Sequence, residues 1–177
     1  MTSIIKADNI STVSGSGNLT IPTGVKLVGT DNSSIVAPGM MIQIVNVVFN
    51  TQVVKASTSM GTTGHAATIT PKFSNSKILI RNSGTAYNEG NNVHQYRTVY
   101  RGSTDLASSA EGFVLVSAGT SGTGRWNYIG FDHLDSPSTT SATTYTIYYR
   151  GNSINENVYY SYGTNYPQVL TLMEIAQ

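Results

Sequence analysis

The run from Ile35 to Val54 constrains this chain more than any other stretch. Pro38-Gly39 is turn punctuation, and Met40 to Phe49 is then a nearly unbroken series of β-branched, Met and aromatic residues. Such a run reads as a long strand. Strand alternation puts Ile42, Ile44 and Val48 on one face, with Met41, Val45, Val47 and Phe49 on the other. Both faces are apolar, so the expectation is a well-buried strand inside a packed sandwich. The stretch is too short to cross a membrane as a helix, and residues 1–20 lack the apolar core of a cleaved signal.

Beyond this pivot, strand-like segments follow at the intervals of an antiparallel sandwich: 40–49, 51–57, 66–71, 77–82, 93–101, 112–117, 125–133, 143–150, 156–162 and 167–176. Between them lie Gly, Ser, Thr, Asn and Pro clusters such as Ser59–Gly64, Asn88–Asn92, Gly119–Gly124 and Asp135–Pro137. Helical periodicity is absent, although Leu106–Glu111 could hold one turn. The last segment, Val169–Ala176, is expected to pair centrally, beside the pivot strand.

Before the pivot, apolar residues are sparse. Ile4, Ile5 and Ile10 are isolated points; Leu19 and Ile21 precede Pro22-Thr23-Gly24, and Val25 and Leu27 follow it. Pro at the second position and Gly at the fourth suit a type I turn, so a short hairpin is expected. One hairpin does not bury enough apolar area to be stable alone. These seven residues therefore need partners on the β-domain or on other copies. The chain divides accordingly into residues 1–38, an attachment and oligomerisation segment, and 39–177, an all-β sandwich domain.

Composition narrows the function classes. Ten Lys and Arg against nine Asp and Glu give a formal charge of +1, which offers no electrostatic footprint for nucleic acid or an anionic membrane. With no cysteine, the chain has no disulfide, no thiolate metal site and no Cys nucleophile. His65, His94 and His133 stand on separate segments without metal-ligand spacing, and Asp132 and Asp135 merely flank His133-Leu134. No nucleophile elbow or phosphate-binding Gly loop occurs. No enzyme, metal or cofactor is expected.

The aromatic residues carry more information. Tyr145, Tyr148, Tyr149, Tyr159, Tyr160, Tyr162 and Tyr166 crowd the last third, with Tyr145 and Tyr149 facing one way and Tyr148 the other, beside Arg150. An apolar body with a polar tip suits core packing, a subunit contact or a sugar ring. Trp126 sits at a loop exit, after Gly122-Thr123-Gly124-Arg125. Trp126, Tyr148 and Tyr149 are the candidate glycan contacts.

Four segments resemble small fibre-like virion proteins of bacteriophages, a group common among marine phages. They are Ser-Ile-Ile-Lys-Ala-Asp-Asn-Ile at 3–10, Ile-Thr-Pro-Lys-Phe-Ser-Asn-Ser-Lys-Ile-Leu-Ile at 69–80, Leu-Asp-Ser-Pro-Ser-Thr-Thr-Ser-Ala-Thr-Thr-Tyr-Thr-Ile at 134–147, and Leu-Thr-Leu-Met-Glu-Ile-Ala at 170–176. The resemblance implies a jelly-roll-like head on an N-terminal segment that joins the particle, as a homotrimer. It implies residence in the virion, as a tail or head fibre, with other virion proteins and a host-surface glycan as partners. So short a chain leaves no room for an extended shaft, which keeps capsid as well as tail attachment open. A monomeric glycan-binding module and a capsid decoration protein are the alternatives.

Overall fold

The computed structural model describes residues 23–24, 28–29, 35–117 and 124–177. The chain divides into two units, Met1–Ile35 and Val36–Gln177. Ile4, Ile5, Ile10, Leu19, Ile21, Val25 and Leu27 lie outside the described residues, as do the strands of the expected hairpin. Of its turn, Thr23 and Gly24 are described, with Gly24 at φ +85°.

The second unit is an antiparallel, jelly-roll-like β-sandwich. Its strands are β1 (Met41–Phe49), β2 (Gln52–Lys55), β3 (Gly61–Ile69), β4 (Lys77–Asn88), β5 (His94–Arg101), β6 (Thr104–Asp105), β7 (Val114–Ser117), β8 (Arg125–Asp135), β9 (Thr143–Gly151), β10 (Val158–Tyr162) and β11 (Gln168–Ile175). One sheet runs β1-β11-β4-β10-β2, with β8 on the other edge of β4. The second runs β3-β9-β5-β6, with β7 also on β5. The described residues contain no helix, so Leu106–Glu111 is a loop, ended by a turn at Gly112.

Alternation builds the core. Tyr145, Ile147 and Tyr149 of β9 point inward, as do Ile78 and Ile80 of β4 and Leu170 and Leu172 of β11. The last strand does pair with the pivot, from Met41 opposite Ile175 to Phe49 opposite Gln168. β11 lies between β1 and β4, and its Glu174 is fully buried. One Glu174 oxygen accepts the Lys72 and Phe73 amides at 2.7 and 3.2 Å, and the other accepts Gln43 Nε2 at 2.5 Å. The carboxylate thereby fixes the turn that leads from β3 into β4.

The pivot itself corrects the expectation of a strand buried on both faces. Among the described residues β1 is an edge strand, and Met41, Ile44 and Val48 are about half exposed. A register shift between Met41 and Gln43 breaks the alternation. Ile42 therefore turns inward, apart from Ile44 and Val48, while Met41 leaves the face that holds Val45, Val47 and Phe49. Other bounds differ as well: β3 begins at Gly61, inside the stretch expected as a loop, and β4 runs on to Asn88.

The interior also contains a cation. Arg97 is fully buried, and no carboxylate pairs with it among the described residues. Its Nε donates to Gln95 Oε1 at 2.8 Å, Nη1 to Gln168 Oε1 at 3.1 Å and Nη2 to the Tyr160 carbonyl at 3.0 Å. The guanidinium lies 4.3 Å from the centre of the Tyr160 ring. Burial lowers its pKa to about 9, which leaves it charged at neutral pH. Gln168 is itself a wedge, its Nε2 donating to the Thr85 carbonyl at 2.7 Å where β11 gives way to β10 along β4.

His65 packs close by, stacked on Phe49 at 4.1 Å and edge-on to Tyr160 at 5.3 Å. Its Nε2 shares a hydrogen bond of 2.9 Å with Thr51 Oγ1. Burial, and secondarily the charge of Arg97, lower its pKa to about 4. The folded protein thus resists a proton that the unfolded chain accepts near pH 6.5. This contribution is fully present above pH 6.5 and drains away as pH falls toward 4, at up to ~1.4 kcal/mol per pH unit. In urea unfolding between pH 4 and 8, His65→Leu should show a shallower acid-side decline than the wild type. Parallel profiles would refute this role.

Candidate ligand-contact surface

β4 and β8 form the longest ladder of the fold, from Ile78 opposite Asp135 to Asn88 opposite Arg125. Ile78, Ile80, Asn82, Ala86 and Asn88 of β4 turn into the core. The rungs that remain for the outer face are Leu79–Leu134, Arg81–Asp132, Ser83–Gly130, Thr85–Tyr128 and Tyr87–Trp126.

Trp126 is the centre of an aromatic cluster at one end of this face. It lies 4.7 Å from Tyr87, 4.8 Å from Tyr162 and 4.5 Å from Tyr166, centroid to centroid. Tyr159 joins through Tyr87 at 5.6 Å and Tyr162 at 4.9 Å. The Tyr87 ring occupies the space beside Gly124, where a Cβ would fall 2.1 Å from the Tyr87 hydroxyl and displace the ring. Glu89 fixes the rear of the cluster: it accepts the Tyr159 hydroxyl and Asn157 Nδ2, both at 2.8 Å. That hydrogen bond, with burial, pushes the Tyr159 pKa up to about 12, so the phenol stays protonated. Trp126, Tyr162 and Tyr166 nonetheless keep about two fifths of their surface in solvent.

Midway along the face, the Ser83–Gly130 rung carries almost no side chain, and the surface dips into a depression of about 380 Å³. On one side stands Tyr128, 79% exposed. On the other, Arg81 and Asp132 form a bidentate pair, with Nε–Oδ1 and Nη2–Oδ2 both at 2.8 Å. Arg81 holds the Asp132 pKa below its ordinary value, chiefly through the hydrogen bond.

The structure separates the three candidate glycan contacts. Trp126 is on the outer face of β8. Tyr148 is on the other sheet, stacked on Tyr100 at 4.0 Å, with neighbouring Arg150 over Tyr96 at 3.8 Å. Tyr149 is 1% exposed within the core, 5.8 Å from Tyr160, and so cannot meet a ligand from solvent. Sequence reasoning missed Tyr87 and Tyr128. Alternation from Trp126 would have placed Tyr128 beside it.

Among the described residues, no three His, Asp or Glu side chains converge on a possible metal position. Asp132 and Asp135, three apart, face opposite ways: Asp132 outward to Arg81, Asp135 inward to Arg101 at 2.9 Å and the Tyr145 hydroxyl at 2.7 Å.

No protein-family model and no curated protein matches the chain. Among solved structures, it is similar to the VP2 protein of infectious bursal disease virus (D431N mutant, derived T=1 particles). That likeness has 12% identity and a TM-score of 0.43, covering 86% of this chain and 41% of that one. The structure of the Gx strain of the same virus gives 13% identity and a TM-score of 0.39, over 85% and 42% of the two chains. The chain spans about two fifths of the length of these proteins. Likeness this loose says nothing of function.

Proposed function

We propose that the chain is a structural protein of a bacteriophage virion, a short homotrimeric fibre or surface appendage that also adheres to the host surface. Residues 1–38 attach it to the tail or capsid and join the copies, and residues 39–177 project. The observation that carries this reading is where the segments resembling phage fibre proteins fall. Of residues 69–80, 134–147 and 170–176, Ile69 ends β3, 77–80 open β4, 134–135 end β8, 143–147 open β9 and 170–175 lie in β11, while 70–76 and 136–142 are connections. There, β11, β4 and β8 are neighbours in one sheet, and β3 pairs with β9 in the other. The likeness therefore takes in paired strands of both sheets together with the two connections, β3 to β4 and β8 to β9, that join one sheet to the other. The half-exposed Met41, Ile44 and Val48 of β1 give an assembly of copies further apolar surface to cover.

Native mass measurement at micromolar concentration tests the assembly, and a mass of three chains is expected. A monomer would remove the fibre reading and favour the second one, a free glycan-binding module acting through the exposed aromatic cluster. Locating the protein on intact particles by labelled electron microscopy separates tail from capsid attachment. Its absence from particles would overturn the virion role.

A further inference from the structure

We propose that the depression between Tyr128 and the Arg81–Asp132 pair is a binding site for a neutral pyranose, part of an oligosaccharide that runs along β8 toward Trp126. The inference rests on the adhesive part of the function above and supplies its site and ligand class.

A pyranose has two kinds of surface. One ring face is clad in C–H groups, and the rim carries hydroxyls that donate and accept. A matching site needs an uncovered aromatic ring beside a fixed polar group that leaves hydrogen-bonding capacity free. Tyr128 supplies the ring, with 79% of its surface in solvent. Among the described residues, no aromatic contact is formed by it, in contrast to Trp126 with its three neighbours. Asp132 supplies the fixed group. Its two oxygens accept one bond each from Arg81, and a carboxylate offers about four lone-pair sites. The bidentate bond holds the plane of both groups, so a ligand hydroxyl meets an acceptor already oriented.

The Ser83–Gly130 rung makes room between these elements. A Cβ at Gly130 would lie 3.1 Å from the Asn82 carbonyl oxygen and 3.6 Å from Ser83 Cβ, so any larger residue would rise into the depression. Its volume, about 380 Å³, is at the lower end of the roughly 300–1,000 Å³ of small-molecule sites. That suits one or two sugar rings. Charge narrows the class further: Arg81 and Asp132 cancel each other, and the other lining side chains are uncharged. A carboxylated or sulfated sugar would find no uncommitted cation there. Outward residues on one strand recur about every 6.8 Å, so Trp126 lies one such step beyond Tyr128 and offers a second ring to a longer chain.

The test uses the 177-residue protein in calorimetric titration and saturation-transfer NMR. The probes are gluco-, manno- and galacto-oligosaccharides, with matched uronic-acid oligosaccharides. At least one neutral series should bind. Tyr128→Ala and Asp132→Ala should each weaken it at least tenfold, and Tyr148→Ala, on the other sheet, should not. All three positions are away from the core, and unchanged thermal unfolding verifies the fold of each variant. Failure of every neutral probe overturns the proposal. So does preference for the uronic acids, or binding indifferent to Tyr128 and Asp132. Trimer mass and particle incorporation of Tyr128→Ala are read separately. If both are normal while sugar binding is absent from the wild type, the ligand site fails and the structural role stands. If the wild type is neither trimeric nor particle-bound yet binds sugar through Tyr128, the site stands and the fibre reading fails.

Discussion

Arg97→Ala should lower the unfolding free energy by about 3–5 kcal/mol, the largest single-residue effect expected in the sandwich. The loss comes less from the arginine than from what it leaves behind. Gln95 Oε1, Gln168 Oε1 and the Tyr160 carbonyl all accept from Arg97. Each would be left in the interior without that donor, at about 1–3 kcal/mol apiece before relaxation. A buried cation without a carboxylate is itself a poor source of stability. Arg97→Met combined with Gln95→Leu and Gln168→Met deprives two acceptors of their donors, the Tyr160 and Thr85 carbonyls, against three in Arg97→Ala, and should therefore be less damaging than Arg97→Ala alone. Urea unfolding of the single and triple variants measures this. If the triple variant is the worse of the two, the polar network contributes net stability, and the unsatisfied-acceptor account fails.

The second large effect concerns assembly. Ile21→Asp with Leu27→Asp should abolish the trimer, or its docking to the particle, and leave the Val36–Gln177 unit folded. Burying a side chain of this size is worth roughly 1.5–3 kcal/mol, and Ile4, Ile5, Ile10, Leu19, Ile21, Val25 and Leu27 would together forfeit a large share of ordinary domain stability if left in water. Cyclic symmetry lets each copy cover its neighbour's strip. Native mass and particle incorporation are the measurements, with circular dichroism checking the sandwich. A double variant that still trimerises and incorporates normally would refute the division of labour between residues 1–38 and 39–177.

What the sequence disclosed was periodicity, and what it withheld was neighbours. The pairing of the last strand with the pivot was legible, because both are long apolar runs that need central or near-central partners. Counting faces could not tell that β1 sits at an edge, nor that a bulge near Met41 would separate Ile42 from Ile44. Gly61 to Gly64 reads as a loop from its residues, yet β9 holds it as strand, with Thr63 Oγ1 donating to the Ile147 carbonyl at 2.8 Å. The end of β4, Ser83 to Asn88, has little apolar signal of its own and depends on β8 for its ladder. That gap hid Tyr87, the ring that links Trp126 to Tyr159. The burial of Arg97 had no sequence signal at all, since arginine is almost never fully buried.

The pairing of β1 with β11 also has a consequence in time. Gln43 and Glu174 are 131 positions apart. At about 5–20 residues per second, a ribosome makes the second strand on the order of ten seconds after the first. Through that interval the most apolar stretch of the chain has no hydrogen-bonding partner among the described strands. β4 waits likewise for β11 along half its length, from Lys77 to Ser83. The first sheet therefore cannot assemble progressively from the N-terminal side. A translation product that stops before β11 lacks the strand joining β1 to β4 and leaves both open to other chains. Closure by β11 is in effect a gate on the first sheet: only a chain translated past it can join β1 to β4 and seal the core with Leu170 and Leu172.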